Sequence, residues 1–268
     1  MTETEAAGTA VAGREILKLD NVTVARGGRP VVRGVTIEIP AGEVTALLGP
    51  NGAGKSSLVL AVGGVLKFTD GKLTLDDVVL SGKRPERIRT AGVAIVPEGR
   101  RLLPQLTVEE NLGVACYALS RDEAREGRAL ALELFPELEK RMGAMARLLS
   151  GGEQQMLVLA QALVSKPRFI LIDELSLGLA PVVVQRLIPT VRRVADSGVG
   201  VLLIEQFATV ALGLANRVYV MERGRIQFSG LASELKERPD LLQTAYLPGG
   251  GAALTGGETG NGSAATSG

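Results

Sequence analysis

Gly49-Pro50-Asn51-Gly52-Ala53-Gly54-Lys55-Ser56 has the spacing G-x-x-x-x-G-K-S. A short apolar stretch, Glu43 to Leu48, runs straight into it, and Leu58, Val59, Ala61 and Val62 follow at helical spacing. Strand, loop, then helix is the context in which this pattern cradles phosphate. Backbone N–H groups across Gly49, Asn51, Gly52, Ala53 and Gly54 make a nest for an anion. Lys55 is placed to neutralise β- and γ-phosphates, Ser56 to give its hydroxyl to Mg²⁺, and Ser57 to reach the α-phosphate. The competing reading is a Gly-rich turn with a solvated lysine.

A second chemical cluster stands at Phe169-Ile170-Leu171-Ile172-Asp173-Glu174. Four apolar residues suit a buried parallel strand, which delivers two carboxylates at its carboxyl end, where open α/β sheets bind ligands. Asp173 is expected to anchor Mg²⁺, directly or at one remove, and Glu174 to polarise an attacking water. In isolation the pair would read equally as solvated acids on a loop.

The third is Leu149-Ser150-Gly151-Gly152-Glu153-Gln154-Gln155. Ser150 followed three residues later by Glu153 is a capping box, so a helix begins here. Met156, Leu157, Leu159, Ala160 and Leu163 give it an apolar face. Gly151 and Gly152 leave its first turn bare, so N–H donors and the positive end of the helix dipole can approach an anion. On Ser-Gly-Gly-Glu alone, an ordinary capped helix is the favoured reading.

Composition bounds what these groups can do. The 268 residues contain no histidine, which excludes His-based triads, His metal sites and His general bases. Catalysis must run on carboxylates, Lys, Arg, hydroxyls, amides and a bound ion. Cys116 is the one cysteine, so there is no disulfide framework and a reducing compartment is expected. A net charge of +1 gives no reason to expect nucleic acid as a partner. The 46% apolar fraction, with only 3% aromatic, predicts a core of Val, Leu, Ile and Ala. No apolar run reaches the roughly 18–20 residues of a membrane span, and the N-terminus lacks a secretion-signal pattern.

The positioning elements follow from periodicity. Ile16 to Val24 and Val35 to Ile39 alternate as half-buried strands around a turn at Arg26-Gly27-Gly28-Arg29-Pro30. Strands are also expected at Lys72–Leu75, Val93–Val96, Gly200–Ile204, Arg217–Met221 and Arg225–Phe228, the last two joined by a hairpin turn at Glu222-Arg223-Gly224. From Thr107 to about Met145 the pattern is helical, with capping boxes at Thr107/Glu110 and Ser120/Glu123 and a break at Pro136. A further helix is expected from Pro181 to Ala195, kinked at Pro189. Residues 1–13 and 248–268 read as disordered ends, flanking a domain at 14–247 with a helical part at about 100–150.

The phosphate loop, the Leu149–Gln154 stretch and the acidic strand end, in this order, resemble the ATP-binding subunit of ATP-binding cassette (ABC) transporters over roughly Ile16 to Leu247. The fold implied is α/β: a P-loop NTPase with a mixed sheet core, an antiparallel β-subdomain and an inserted α-helical subdomain. The resemblance implies an ATPase using ATP and Mg²⁺, paired head to tail with a second ATP-binding subunit, identical or paralogous. Ser150, Gly151 and Gly152 would then act on the other subunit's ATP. It further implies transmembrane permease partners and a peripheral place on the cytoplasmic face of the cell membrane. Val96-Pro97-Glu98-Gly99-Arg100-Arg101, Leu106 to Leu112, Leu134-Phe135-Pro136, Ser176 to Pro181 and Ile204-Glu205-Gln206 resemble the branched-chain amino-acid importer subunits. Related subunits serve urea and other amides.

Several positions depart from the broad family pattern. The glutamine that senses Mg²⁺ and γ-phosphate is Glu98, and the switch histidine is Gln206; the branched-chain subtype shows both. Gln206 can donate a hydrogen bond to γ-phosphate but cannot take up and pass on a proton as histidine does. The adenine-stacking aromatic corresponds to Arg26, whose guanidinium either stacks on adenine or is a solvated loop charge. Ala180 replaces an acid and Leu175 replaces the proline after the catalytic glutamate. The docking groove for a permease helix is expected between Glu98–Leu106 and Thr107–Met145, with Leu102-Leu103-Pro104 either forming its surface or packing beneath the helices. Two other readings compete: a soluble ATPase of the same fold acting in translation or DNA repair, and a low-activity ATP-binding partner of an active paralogue.

Overall fold

The computed structural model describes residues 15–237. The two ends expected to be disordered lie outside the described residues.

β1 (Ile16–Arg26) and β2 (Arg29–Pro40) form the first hairpin, turning over Gly27 and Gly28. β3 (Val44–Leu48) leads into α1 (Lys55–Val62); then come β4 (Phe68–Leu75), β5 (Val78–Val79), α2 (Pro85–Thr90) and β6 (Val93–Val96). The helical stretch holds α3 (Val108–Ala115) and α4 (Arg121–Leu134), then short 3₁₀ turns at Pro136–Arg141 and Ala146–Leu148. Pro136 starts the first of these turns, so α4 stops just short of it. α5 (Gly151–Leu163), β7 (Phe169–Asp173), α6 (Pro181–Asp196) and β8 (Gly200–Glu205) alternate next. α7 (Ala208–Leu214), β9 (Arg217–Glu222), β10 (Arg225–Leu231) and α8 (Ala232–Glu237) complete the described chain. The β9–β10 turn places Arg223 and Gly224 at φ 47° and 84°, as a tight hairpin of this hand needs.

Two sheets result. One is antiparallel, in order β2-β1-β4-β5. The other has six strands in order β10-β9-β3-β8-β7-β6, parallel from β9 through β6, with β10 antiparallel at one edge. Every residue of β3, β7 and β8 is buried, which is why these strands read as continuous apolar runs. Alternation splits β7 and β8 between two cores. Phe169, Leu171, Leu202 and Ile204 pack with the antiparallel sheet and α1, while Ile170, Ile172, Val201 and Leu203 pack with the helical elements around α5. Removing one such side chain, Leu171→Ala for instance, would cost roughly 2–5 kcal/mol.

The parallel register sets the functional edge. Leu48 pairs with Glu205, Asp173 with Ile204, and Val96 with Ile172. Four strand ends therefore finish side by side, and the phosphate loop, Gln206, Asp173-Glu174 and Glu98 all leave the sheet along one rim.

Candidate ATP site

The phosphate loop leaves β3 at Gly49, which has φ 157°. A Cβ there would overlap the Met221 carbonyl, and one at Gly54, where φ is 110°, would lie 2.5 Å from the Val31 carbonyl oxygen. Only glycine fits between the loop and these two backbones, so packing alone fixes the two glycines of the motif. Asn51 and Gly52 are exposed at the loop tip, Ala53 is buried, and Gly54, Ser56 and Ser57 are half-buried. Lys55 opens α1 and is 4% exposed. Its ammonium donates to the carbonyls of Gly49 at 2.7 Å and Pro50 at 3.1 Å. Burial pulls its pKa down, against the opposing influence of Glu174, Asp173, Glu205 and Glu98. A desolvated cation folded against its own loop is ready to exchange carbonyls for phosphate oxygens.

Asp173 ends β7 buried, with Oδ1 lacking a hydrogen-bond partner. Burial pushes its pKa up to about 6, helped by Glu174 and Glu98, while Ser56 and Lys55 pull the other way. An unsatisfied buried carboxylate oxygen beside a serine hydroxyl suits a divalent cation that shares its coordination with phosphate and water. Among the described residues no cluster of three or more acidic, Cys or His groups is built to hold a metal alone. A nucleotide-borne Mg²⁺ needs only one or two protein ligands.

Glu174 is half-buried and takes a left-handed backbone, φ 57°, while Leu175 beside it is fully buried. A proline at 175 would disfavour the helical regions for the residue before it; leucine leaves the turn free and fills the core. Burial raises the Glu174 pKa, reinforced by Glu98 and opposed by Lys55. A carboxylate so placed accepts a proton more readily than an ordinary glutamate. Glu98 is exposed on the loop after β6, and Gln206 is half-buried just past β8. Arg26 is exposed at the first hairpin.

The capping box at α5 forms as read. Ser150 Oγ accepts from the Glu153 N–H at 3.3 Å, and Glu153 Oε2 accepts from the Ser150 N–H at 2.8 Å. Arg141 holds the other Glu153 oxygen at 2.9 Å, and Gln154 Nε2 donates to the Ala146 carbonyl at 3.1 Å. Ser150 is exposed, Gly151 half-buried and Gly152 buried. A cavity of about 530 Å³ lies between Gln154 and Gln155 of this helix, Asp173 and Glu174 of the strand end, and Arg100 and Leu177.

Two tethers leave little local mark in the sequence. Glu205, 1% exposed, accepts from Ser176 Oγ at 2.8 Å and from the Ser176 N–H at 3.0 Å, tying the loop after Glu174 to the end of β8 beside Gln206. Burial raises its pKa and the Ser176 bonds oppose that. Asn111, fully buried, donates to the carbonyls of Leu103, Leu106 and Thr107 and pins the loop leading into α3. A polar residue inside an apolar helix pattern was the only visible hint of the second.

A family model described as ABC transporter matches residues 32–176. This chain belongs to the ABC transporter family. It is an ATP-binding, ATP-hydrolysing subunit of that family, with a mixed α/β cassette fold. The cassette is 39% identical over 234 residues to the high-affinity branched-chain amino acid transport ATP-binding protein BraG of Pseudomonas aeruginosa, covering 87% of this chain and 100% of that one. It is 32% identical to the lipopolysaccharide export system ATP-binding protein LptB of Escherichia coli, covering 86% and 96%. The crystal structure of the ADP conformation of MJ1267, an ATP-binding cassette of an ABC transporter, superposes with TM-score 0.76 at 27% identity, covering 85% and 97%.

A second, largely apolar groove of about 650 Å³ opens on this ABC ATPase. Its walls are α1, α2 and β6 on one side and the ends of α3 and α5 on the other, with Val65, Val114 and Tyr117 exposed along it. From the 98–106 segment only Arg101 lines it. Leu102 packs against the helical core, and Leu103, though 44% exposed, does not line this groove, so the groove lies to one side of the Leu-Leu-Pro stretch expected to form its surface.

Proposed function

We propose that this chain is the ATP-hydrolysing subunit of an importer for branched-chain amino acids, working as a head-to-tail pair on the cytoplasmic face of a membrane. The carrying observation is its similarity to BraG along the whole length of that protein. Glu98 and Gln206, the pair expected of that subtype, support it. LptB, at 32% identity, favours a second reading in which a lipid-linked saccharide is the cargo.

In the proposed cycle Lys55 leaves its loop carbonyls for the β- and γ-phosphates, and the N–H groups from Gly49 to Ser57 wrap the anion. Ser56 and Asp173 would hold Mg²⁺, which supplies charge neutralisation at the phosphates. Glu174 orients the attacking water and takes its proton, and Gln206 donates to the γ-phosphate. Glu98 would meet the ion or a bound water. Ser150, Gly151 and Gly152 present a helix start to the other subunit's ATP. Arg26 flanks the base. The apolar groove beside Tyr117 takes a helix of the permease, since an exposed apolar trough of this size suits a protein partner.

The test is purification of the tagged protein from its native membranes, together with uptake of labelled leucine in cells with and without it. Co-purifying multi-span proteins and loss of leucine uptake on deletion are expected. Normal leucine uptake in the deletion strain, with partners of lipid-export type, would replace this reading by the second.

A further inference from the structure

Arg100 joins three segments that the ATP cycle must keep in step. It follows Gly99 in the loop after β6, and both residues are left-handed, with φ 44° at Arg100 and 87° at Gly99. A non-glycine residue in that region is uncommon and is held there by its surroundings. Here those surroundings are the Leu102 N–H, which donates to the Arg100 carbonyl at 2.6 Å, and the hydrogen bonds of the guanidinium. One terminal nitrogen donates to the carbonyls of Leu177 at 3.2 Å and Gly178 at 3.3 Å, on the loop just after Glu174. The other reaches Gln154 Oε1 at 3.5 Å, in the first turns of α5. That nitrogen lies 3.1 Å from where a Gly151 Cβ would be, so the guanidinium lies against the bare face of the first turn. Among the described residues Arg100 has no carboxylate within ion-pair distance. Its planar fork is given to main-chain and amide oxygens of two different elements, a use that the fixed donor geometry of arginine serves and lysine does not.

The two clasped elements serve different ATP molecules in a head-to-tail pair. Glu174 acts on the ATP of its own subunit, while Ser150 to Gly152 complete the site of the other. We propose that Arg100 is a positioning residue that couples the two sites, by holding the half-site a subunit lends to its partner against the loop behind its own catalytic glutamate. This rests on the assignment of Glu174 and of the α5 start given above.

The experiment uses the full chain. ATP turnover, its dependence on ATP concentration, binding of a fluorescent ATP analogue, and melting temperature are measured for wild type, Arg100→Ala, Arg100→Lys and Glu174→Gln. Misplacement of a catalytic group by about 1 Å can cost up to a hundredfold, so Arg100→Ala is expected to lower kcat about tenfold. Analogue binding should stay within about twofold of wild type, melting should be unchanged, and cooperativity in ATP should fall towards none. Arg100→Lys should recover little of this. Wild-type kcat and cooperativity in Arg100→Ala would overturn the proposal. So would full rescue by lysine, parallel loss of analogue binding, or a drop in melting temperature that accounts for the lost activity. Undiminished turnover in Glu174→Gln is the distinct outcome that removes the assignment of Glu174 itself.

Discussion

At Gly54 the chain has no room for any other residue. The left-handed φ of 110° and the Val31 carbonyl 2.5 Å from a would-be Cβ act together. Gly54→Ala should cost about 2–4 kcal/mol in urea unfolding and lose ATP binding, because relief of the overlap moves Lys55. Glu153 offers a pH test. Arg141 first, then the Ser150 bonds, hold its pKa below the ordinary 4.5. A depressed folded-state pKa gives stability that is present above the ordinary value and lost as pH falls through the folded one. The stability gap between wild type and Glu153→Gln should therefore be widest above about pH 4.5 and close in more acid solution. Half-exposure of Arg141 keeps that gap to about 1 kcal/mol at most. The capping boxes at Thr107, Ser120 and Ser150 were legible because their partners lie three positions apart, and the phosphate loop because its glycines and lysine keep a fixed spacing, whereas the Met221 and Val31 backbones that crowd Gly49 and Gly54 leave no local mark. Arg100, Asn111 and the Ser176–Glu205 pair were not legible either, since each depends on a partner brought close only by folding or on a backbone carbonyl with no residue signature.

Among the elements, the long apolar strands declared themselves because both faces are buried, and β6, β7 and β8 fall within a residue of their expected ends. α2, α7 and α8 went unread. At 6, 7 and 6 residues they are too short to show a helical period. The helical stretch from Thr107 holds α3 and α4, each starting at its expected capping box, with the expected break before Pro136; the two 3₁₀ turns that follow are too short to show a period. Gly127, in the middle of α4, illustrates how packing overrides propensity. Alanine would favour the helix by up to ~1 kcal/mol, but its Cβ would overlap the Val164 carbonyl at the end of α5. Gly127→Ala should thus destabilise, by about 2–3 kcal/mol, and push α4 away from α5. Thermal unfolding tests the sign, and a rise in melting temperature would contradict the contact.

Across the whole molecule, the six-stranded sheet lines up four strand ends so that Lys55, Asp173, Glu174 and Gln206 share a rim, while the α5 start stands on the other side of a cavity from Glu174. On the proposed head-to-tail pairing, a single chain owns a phosphate loop and lends its α5 start to the other subunit's ATP. ATP should therefore drive pairing when hydrolysis is blocked. Glu174→Gln with ATP and Mg²⁺ should elute as a dimer in size-exclusion chromatography and return to monomer with ADP, since ligand that binds only the paired form stabilises it. Ser150→Arg in that background should keep it monomeric by filling the helix start.

The most direct measurement of the central claim is the steady-state ATPase rate of Glu174→Gln beside its affinity for ATP. The account predicts turnover reduced by at least about a hundredfold with ATP affinity kept within a few-fold, as expected when a group acts mainly in the transition state. Turnover close to wild type would contradict it, and would move the catalytic role away from the end of β7.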